Sequence, residues 1–387
     1  MSSKRAVTIS DLQRAARRYV PDFAFKPAEI GTGDGRGPVS NVAAFAGYVL
    51  VPRVPESPVV PALATTLFGR SYALPFGISA IGYAGKMRAD TDFALAQAAV
   101  AANIPFLLSG GSVASLEAVA KIAPDHVWQQ LYAAADPAIT DDFLARGLAC
   151  GRDVLVLTVD MPTPPIPDWL LRSGILPPGS VARRAWPHFL WQLATHPRWT
   201  VGHVCRGGMP RMEGWAKYLP DGASPAAVAA FAHGQIVSGV SWPEVDRIRQ
   251  RWPGKFVVKG LLHPDDVARA FALGADAVTV SNHGGNKMEN AISSLAALET
   301  IRQAGTGPVF FDGGIRCGAD LVTARALGSD FSFIGRAALY GALADGRAGA
   351  LRAIAILQEQ LERSLMHLGI ASLEAATPGL VRRVPDR

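Results

Sequence analysis

Eight short runs rich in apolar, β-branched and aromatic residues alternate with helix-patterned stretches along this chain, and that rhythm constrains the fold more than any other feature. The runs are "PFGISA" from 75, "PFLLS" from 105, "HVWQQLY" from 126, "DVLVLTVD" from 153, "KFVVKG" from 255, "DAVTVS" from 276, "PVFFD" from 308 and "DFSFIG" from 330. Strands that are apolar throughout are buried on both faces, as in a parallel sheet covered by helices. Alanine-rich stretches such as "TDFALAQAAVAAN", "PDDVARAFALGA" and "ADLVTARALGS" lie between them. An open doubly wound sheet shares this alternation, but eight regular repeats favour closure into an α/β fold, a (β/α)8 TIM barrel.

The rhythm breaks once. Residues 161–242 separate the fourth run from its helix and are too long for an ordinary βα loop, so they read as a functional insertion within a single domain, 1–387. From Trp169 to Met212 there is no Asp or Glu, while Arg172, Arg183, Arg184, Arg198, Arg206 and Arg211 lie among Trp186, Phe189, Leu190, Trp191 and Trp199. Such a composition suits an active-site lid or a subunit contact, and it equally suits the surface of an anionic bilayer. The first 70 residues read as a helical and hairpin extension.

Composition excludes several classes. With 49% hydrophobic and 18% charged residues, the chain is an apolar globular protein and not a disordered one. Its formal charge of +6 is spread thinly, which fits an anionic small ligand better than nucleic acid. The three cysteines, Cys150, Cys205 and Cys317, are far apart and have no metal spacing, so no metal is expected and a reducing cytoplasm is the simplest setting. The opening "MSSKRAVTISDLQ" has basic residues but no apolar core of a signal peptide, and no run of about 18 apolar residues follows anywhere.

In a barrel of this kind, chemistry gathers at the carboxyl ends of the strands. There the sequence places Ser79, Ala80 and Ile81, then Ser109, then Gln130 and Tyr132, then Thr158 and Asp160, Lys259, Ser281 and His283. The seventh run ends in Asp312, Gly314 and Arg316, and the eighth in Gly335 and Arg336. The last two groups occupy the usual phosphate position, where glycine N–H groups and guanidiniums make charge-assisted bonds to an anion. Taken alone, Arg316 reads as an ion-pair partner, and Lys259 reads either as a buried ion pair or as a cation facing a reduced heterocycle. His283 is the candidate general base and Asp160 its orienting acid. A lone histidine is commonly structural; the strand end, Ser281, Gly284 and Gly285 argue otherwise.

These residues resemble the FMN-dependent 2-hydroxy-acid oxidase and dehydrogenase family, which includes glycolate oxidase and the lactate and mandelate dehydrogenases. The likeness runs from "VPDFAF" near 20 to "RAALYGALADGRAG" near 340, and "SNHGG" is its most specific piece. "HPRW", "GMP" and "WPEVDRIRQRWPGKFVVKGLL" look most like the mandelate dehydrogenase branch. The resemblance implies bound FMN, contacted by Ser79, Ala80, Ile81, Ser109, Gln130, Thr158, Lys259 and Ser281 around its ring and ribityl chain. Asp312, Gly314, Arg316, Gly335 and Arg336 complete the ribityl and phosphate site. It further implies His283 as base, Asp160 as its support, Tyr132 at the reacting carbon, and a homotetrameric assembly.

Three carboxylate-recognition elements depart from that family. Asn286 stands where members acting on free 2-hydroxy acids have arginine, Ile166 and Pro167 stand where a pair of arginines follows the strand-four aspartate, and Pro27 aligns with a substrate-binding tyrosine. Each arginine bond to a carboxylate contributes roughly 1.5–3 kcal/mol, so losing both would weaken a small acid by about two to four powers of ten. The expected substrate is therefore a small molecule with a C–H bearing a hydroxyl or amine beside a neutral carbonyl, facing Asn286 and Tyr132. Asn286 also gives a partial likeness to the mycofactocin-pathway branch. The alternatives are a conventional lactate- or mandelate-type enzyme and an FMN-binding protein without catalysis. The electron acceptor is left open among oxygen, a quinone and a protein. The expected location is cytoplasmic, with residues 169–212 offering peripheral contact to the inner face of a membrane.

Overall fold

A computed structural model describes residues 3–162, 172–176, 180–236, 239–304 and 307–384. The eight apolar runs form eight parallel strands, β1 (Phe76–Ile78), β2 (Phe106–Leu108), β3 (Val127–Leu131), β4 (Val154–Thr158), β5 (Lys255–Leu261), β6 (Ala277–Val280), β7 (Val309–Asp312) and β8 (Phe331–Ile334). They pair in sequence order and β8 returns to β1, closing the barrel. The (β/α)8 expectation is thus met. A helix follows each strand: α1 (Thr91–Ala102), α2 (Leu116–Ile122), α3 (Pro137–Ala149), α4 (Trp242–Arg251), α5 (Pro264–Ala272), α6 (Ser294–Ala304), α7 (Gly318–Ala326) and α8 (Arg336–Leu368), the last broken at Asp345 and Gly346.

Alternate strand residues face opposite sides, which separates two cores. Inside the barrel Leu107, Trp128, Val154, Val156, Val257, Phe310, Phe331 and Phe333 form one buried cluster. A hairpin, Thr65–Leu67 with Arg70–Tyr72, carries Phe68 onto Trp128 and Phe310 with ring centroids 5.5 Å and 5.8 Å apart. The hairpin thus closes Phe68 against the inner cluster of the barrel. The larger cluster lies between strands and helices, where each fully buried Leu, Ile or Phe contributes about 1.5–3 kcal/mol.

The amino-terminal extension reaches that carboxyl end. Thr8 and Asp11 form a reciprocal cap on the helix Ile9–Tyr19, which packs against α8. The helix Asp22–Glu29 brings Pro27 and Ala28 to the barrel mouth, and the helix Arg36–Ala43 lies on the turn His283–Gly285. A strand at Tyr48–Leu50 pairs with Val381–Arg383 near the other terminus.

Described parts of the insertion dock on the same end. Trp215 is buried and donates its indole N–H to the Gly110 carbonyl at 2.8 Å, and Trp199 donates to the Met87 carbonyl at 2.6 Å. Outward, Trp186, Leu190 and Trp191 on the helix Trp186–Thr195 and Val201 and Val204 on the helix Pro197–Val204 are exposed. Among the described residues no helix is long and apolar enough to cross a membrane.

Candidate active site

The residues named from strand ends converge on one cavity at the barrel mouth, about 860 Å³ including its open side. Ser79, Ala80, Ile81, Tyr132, Thr158, Lys259, His283, Asn286, Asp312, Gly314, Arg316, Gly335 and Arg336 all line it. Ser109, Gln130 and Ser281 sit just behind as buried supports. Gln130 donates to Thr158 Oγ1 at 3.0 Å and accepts from the Gly110 N–H at 2.8 Å; Ser109 Oγ accepts from Gly111 N at 3.1 Å. Pairing of Lys259 with Thr158 on β4 and with Thr279 on β6 sets the lysine at the rim, where its ammonium donates to Ser281 Oγ at 2.9 Å and pairs with Asp312 at 3.0 Å. Ser79 donates to the same Asp312 carboxylate.

His283 owes its position to an unusual turn. Its φ is 58°, followed by 68° at Gly284 and 75° at Gly285, a left-handed run that glycine tolerates and histidine adopts at a cost. Side chains hold the turn: Ser281 Oγ accepts from His283 N at 3.1 Å and Asn282 Oδ1 from Gly285 N at 2.9 Å. Asn282 is itself fixed by two reciprocal amide bonds with buried Asn41, at 2.6 Å and 2.9 Å. A Cβ at Gly285 would lie 2.2 Å from the Gly37 carbonyl carbon, so close approach of the amino-terminal helix also requires glycine here.

The imidazole is held between a carboxylate and a phenol. Nδ1 lies 2.8 Å from Asp160 Oδ1, which leaves Nε2 turned toward the Tyr132 hydroxyl at 3.4 Å, with the two rings near parallel. A carboxylate at Nδ1 selects the tautomer in which Nε2 carries the lone pair. Burial holds the imidazole below its usual 6.5, Asp160 opposes that shift, and Lys287 and Lys259 reinforce it. Burial would raise the Asp160 carboxyl, yet His283, Lys259 and Lys287 together hold it below the usual range, so it stays ionised. Gly260, with φ +105°, leaves room for Asp160, because a Cβ there would meet Asp160 Cγ at 2.6 Å.

At the far side, α8 begins at Arg336 with Gly335 before it and no side-chain cap, so its first-turn N–H groups face a cavity wall made of Gly313, Gly314 and Arg316. A Cβ on Gly335 would touch nothing, which marks open space above the helix start. An uncapped helix terminus, two half-buried guanidiniums and a buried lysine make a donor set that fits a phosphate-bearing planar cofactor such as FMN. Arg316 donates to the Ile315 carbonyl at 2.8 Å and lies 5.9 Å from the Tyr340 ring centre. Arg336 donates to the carbonyls of Ala28 and Gly284, both at 2.7 Å, and to Asn286 Oδ1 at 2.6 Å.

Asn286 therefore reaches the mouth with its oxygen engaged. Ile166 and Pro167 lie outside the described residues. Four groups that motif reading passed over are coupled to one another or to the His283–Asp160 pair: Tyr83, Lys86, His233 and Lys287. Lys86 lies 4.6 Å from the Tyr83 ring centre, and the Tyr83 hydroxyl bonds His233 Nε2 from the insertion. His233 is held below its usual range by burial and then by Lys86 and Lys287. Burial pushes the Lys287 ammonium down to about 8. The signal available in sequence was only that a second cation follows Asn286 directly.

Comparison with known proteins bears on the family and the fold. Residues 16–383 match the family described as FMN-dependent dehydrogenase. The chain is 32% identical over 378 residues to an L-lactate dehydrogenase of Pseudomonas entomophila (strain L48), covering 97% of this chain and 98% of that one. The structure of a monotopic membrane protein, (S)-mandelate dehydrogenase, superposes with a TM-score of 0.92 at 29% identity, over 98% of this chain and 100% of that one. An arginine-to-leucine variant of mandelate oxidase with 2-hydroxy-phenylacetamide superposes with a TM-score of 0.78 at 27% identity, over 96% of this chain and 97% of that one.

Proposed function

The chain belongs to the FMN-dependent dehydrogenase family, and from that membership we propose that it oxidises a 2-hydroxy acid of the lactate or mandelate type to the 2-oxo acid. One observation carries the reading: the Asp160–His283 pair at 2.8 Å, with Nε2 open to the cavity beside Tyr132. When bound, FMN supplies the two-electron acceptance. Its ring and ribityl chain would be held by Ser79, Ala80, Ile81, Ser109, Gln130, Thr158, Lys259 and Ser281, and its phosphate end by Asp312, Gly314, Arg316, Gly335 and Arg336.

The chain's own residues handle the proton. His283 Nε2 takes it from the substrate, and the imidazolium so formed gains the Asp160 carboxylate as its counter-ion. Tyr132 keeps the reacting carbon facing that nitrogen and supplies a hydroxyl to the developing oxygen. Tyr132 stays protonated, because burial and then Asp160 push its phenol far up. The walls of Ile81, Met87 and Leu339 exclude water from the same space.

A second reading keeps the chemistry and changes the substrate to a 2-hydroxy amide or ester. Asn286 supports it, as does the likeness to an oxidase variant that lost an arginine and was solved with an amide. Anaerobic bleaching of the flavin separates the two: lactate or mandelate bleaches it under the first reading, and only their amides under the second. Bleaching by neither class would end both and leave an FMN-binding protein without this catalysis.

Exposed Trp186, Leu190, Trp191, Val201 and Val204 with Arg183 and Arg184 support peripheral contact with an anionic membrane surface, on its cytoplasmic face. The likeness to a monotopic membrane protein supports the same placement, and it favours an acceptor held in or at the membrane. A homotetramer is the assembly that the family resemblance implies.

A further inference from the structure

A second cavity shares a wall with the first. It holds about 1080 Å³ including its open side and lies among α1, the break in α8, the end of the helix Ile9–Tyr19 and the insertion helix Pro197–Val204. Consecutive residues divide the two spaces: Met87 lines the active-site cavity and Arg88 lines this one. Trp199, whose indole bonds the Met87 carbonyl, stacks at 3.9 Å on His203, and His203 also lines the second cavity.

Three guanidiniums line this second cavity. Arg88 lies over the Tyr19 ring at 4.1 Å and spends Nη1 on the Leu343 carbonyl at 3.0 Å. Its Nη2 has no partner among the described residues and faces the break in α8, since a Cβ on Gly346 would sit 4.0 Å from it. Arg347, the next residue, is exposed and makes neither a hydrogen bond nor an ion pair among the described residues. Arg206 pairs through Nε with Asp90 at 2.5 Å and bonds the Gly202 carbonyl through Nη1 at 3.0 Å. Among the described residues that line the cavity Asp90 is the one carboxylate, so three positive charges stand against one negative. Burial keeps His203 below its usual 6.5, so it adds no charge at neutral pH. Phe93, Ala94 and Ile122 add an apolar wall.

We propose that this cavity binds a small organic oxyanion, a carboxylate or a phosphate ester carried on an apolar body, apart from the site of oxidation. Like charges gathered at one opening repel, and an anion among them removes the repulsion. A guanidinium with a free edge, as Arg88 and Arg347 have, matches the paired oxygens of carboxylate or phosphate in fork-shaped bonds. The apolar wall favours an aryl or alkyl derivative over the bare inorganic ion.

The test titrates FMN-loaded protein by calorimetry with phenyl phosphate, benzoate, inorganic phosphate and benzyl alcohol. At least one of the two aryl anions should bind more tightly than both inorganic phosphate and benzyl alcohol, and the tighter of the two names the head group. Arg347→Gln breaks no bond of the folded chain and should weaken that anion about 10-fold; adding Arg88→Gln should bring the loss to about 100-fold. Anaerobic flavin bleaching by substrate should stay as in wild type in Arg347→Gln, which separates this cavity from the active site. Failure of both aryl anions to bind, or equal binding by wild type and Arg347→Gln, overturns the assignment. Inorganic phosphate binding as tightly as phenyl phosphate and benzoate overturns the organic ligand.

Discussion

Arg336 donates from Nη2 to Oδ1 of Asn286 across 2.6 Å, joining the first residue of α8 to the loop that carries His283, the proposed base. The same guanidinium reaches the Gly284 carbonyl at 2.7 Å. Phosphate-side and substrate-side elements of the cavity are therefore mechanically one unit, and changes at either should be felt at both.

Replacing Arg336 by lysine removes the fork that bridges Gly284 and Asn286 while keeping a charge. FMN affinity should fall on the order of 10- to 100-fold, measured by fluorescence titration of apoprotein. The substrate KM should rise in the same variant at saturating FMN. An unchanged KM would show that the two ends are independent.

His283→Ala should retain FMN and slow flavin reduction by about 10²- to 10⁴-fold, followed by anaerobic stopped flow. Fast bleaching in this variant would remove His283 from the chemistry.

Burial keeps the His283 imidazole neutral below its usual 6.5. The neutral form is the proposed base and is lost as pH falls through the lowered value, so the midpoint of the acid limb of kcat/KM should lie below 6.5. Asp160→Asn deletes the carboxylate that favours imidazolium, and should move that decline further toward acid while lowering the plateau. An acid limb centred at or above 6.5 would contradict the buried, neutral base.

Gly260→Ala places a methyl against Asp160 at a φ of +105°. Strain and the displaced carboxylate should cost about 1–3 kcal/mol in stability and lower kcat more than FMN affinity. Thermal unfolding and flavin titration give the two readouts. A variant as active as wild type would show that Asp160 need not keep its present position.

Changing Trp186, Leu190 and Trp191 together to serine should abolish flotation with vesicles containing anionic lipid and leave flavin reduction by substrate intact. Retained flotation would move the membrane contact elsewhere.

Much of this was readable in the residues. Apolar strands at regular spacing forced a closed parallel sheet, and the polar residue ending each strand could face only the mouth, so His283, Asp160 and Lys259 were found by position. What eluded the sequence came from side-chain direction. Three left-handed residues from His283 decide where Asn286 and Lys287 emerge, and no periodicity encodes that. Pairs such as Tyr83 with His233 and Asn41 with Asn282 are brought together by the insertion and the amino-terminal extension, whose packing local pattern does not specify. The bond from Arg336 to Asn286 Oδ1 joins residues 50 positions apart in the chain, so the sequence offers no sign of it.

Gly37 and Pro38 rest directly on Gly285, and Glu289 receives the backbone N–H of Asp34 at 2.8 Å. This segment thus has partners that lie some way behind it in the order of synthesis, 255 positions for Asp34 and Glu289. Until those partners emerge, the helix Arg36–Ala43 lacks its packing on the turn His283–Gly285, and assembly of this side of the cavity depends on distant contacts, which are slow to form. Chaperone dependence during expression should accordingly concentrate on this front segment and not on the barrel staves.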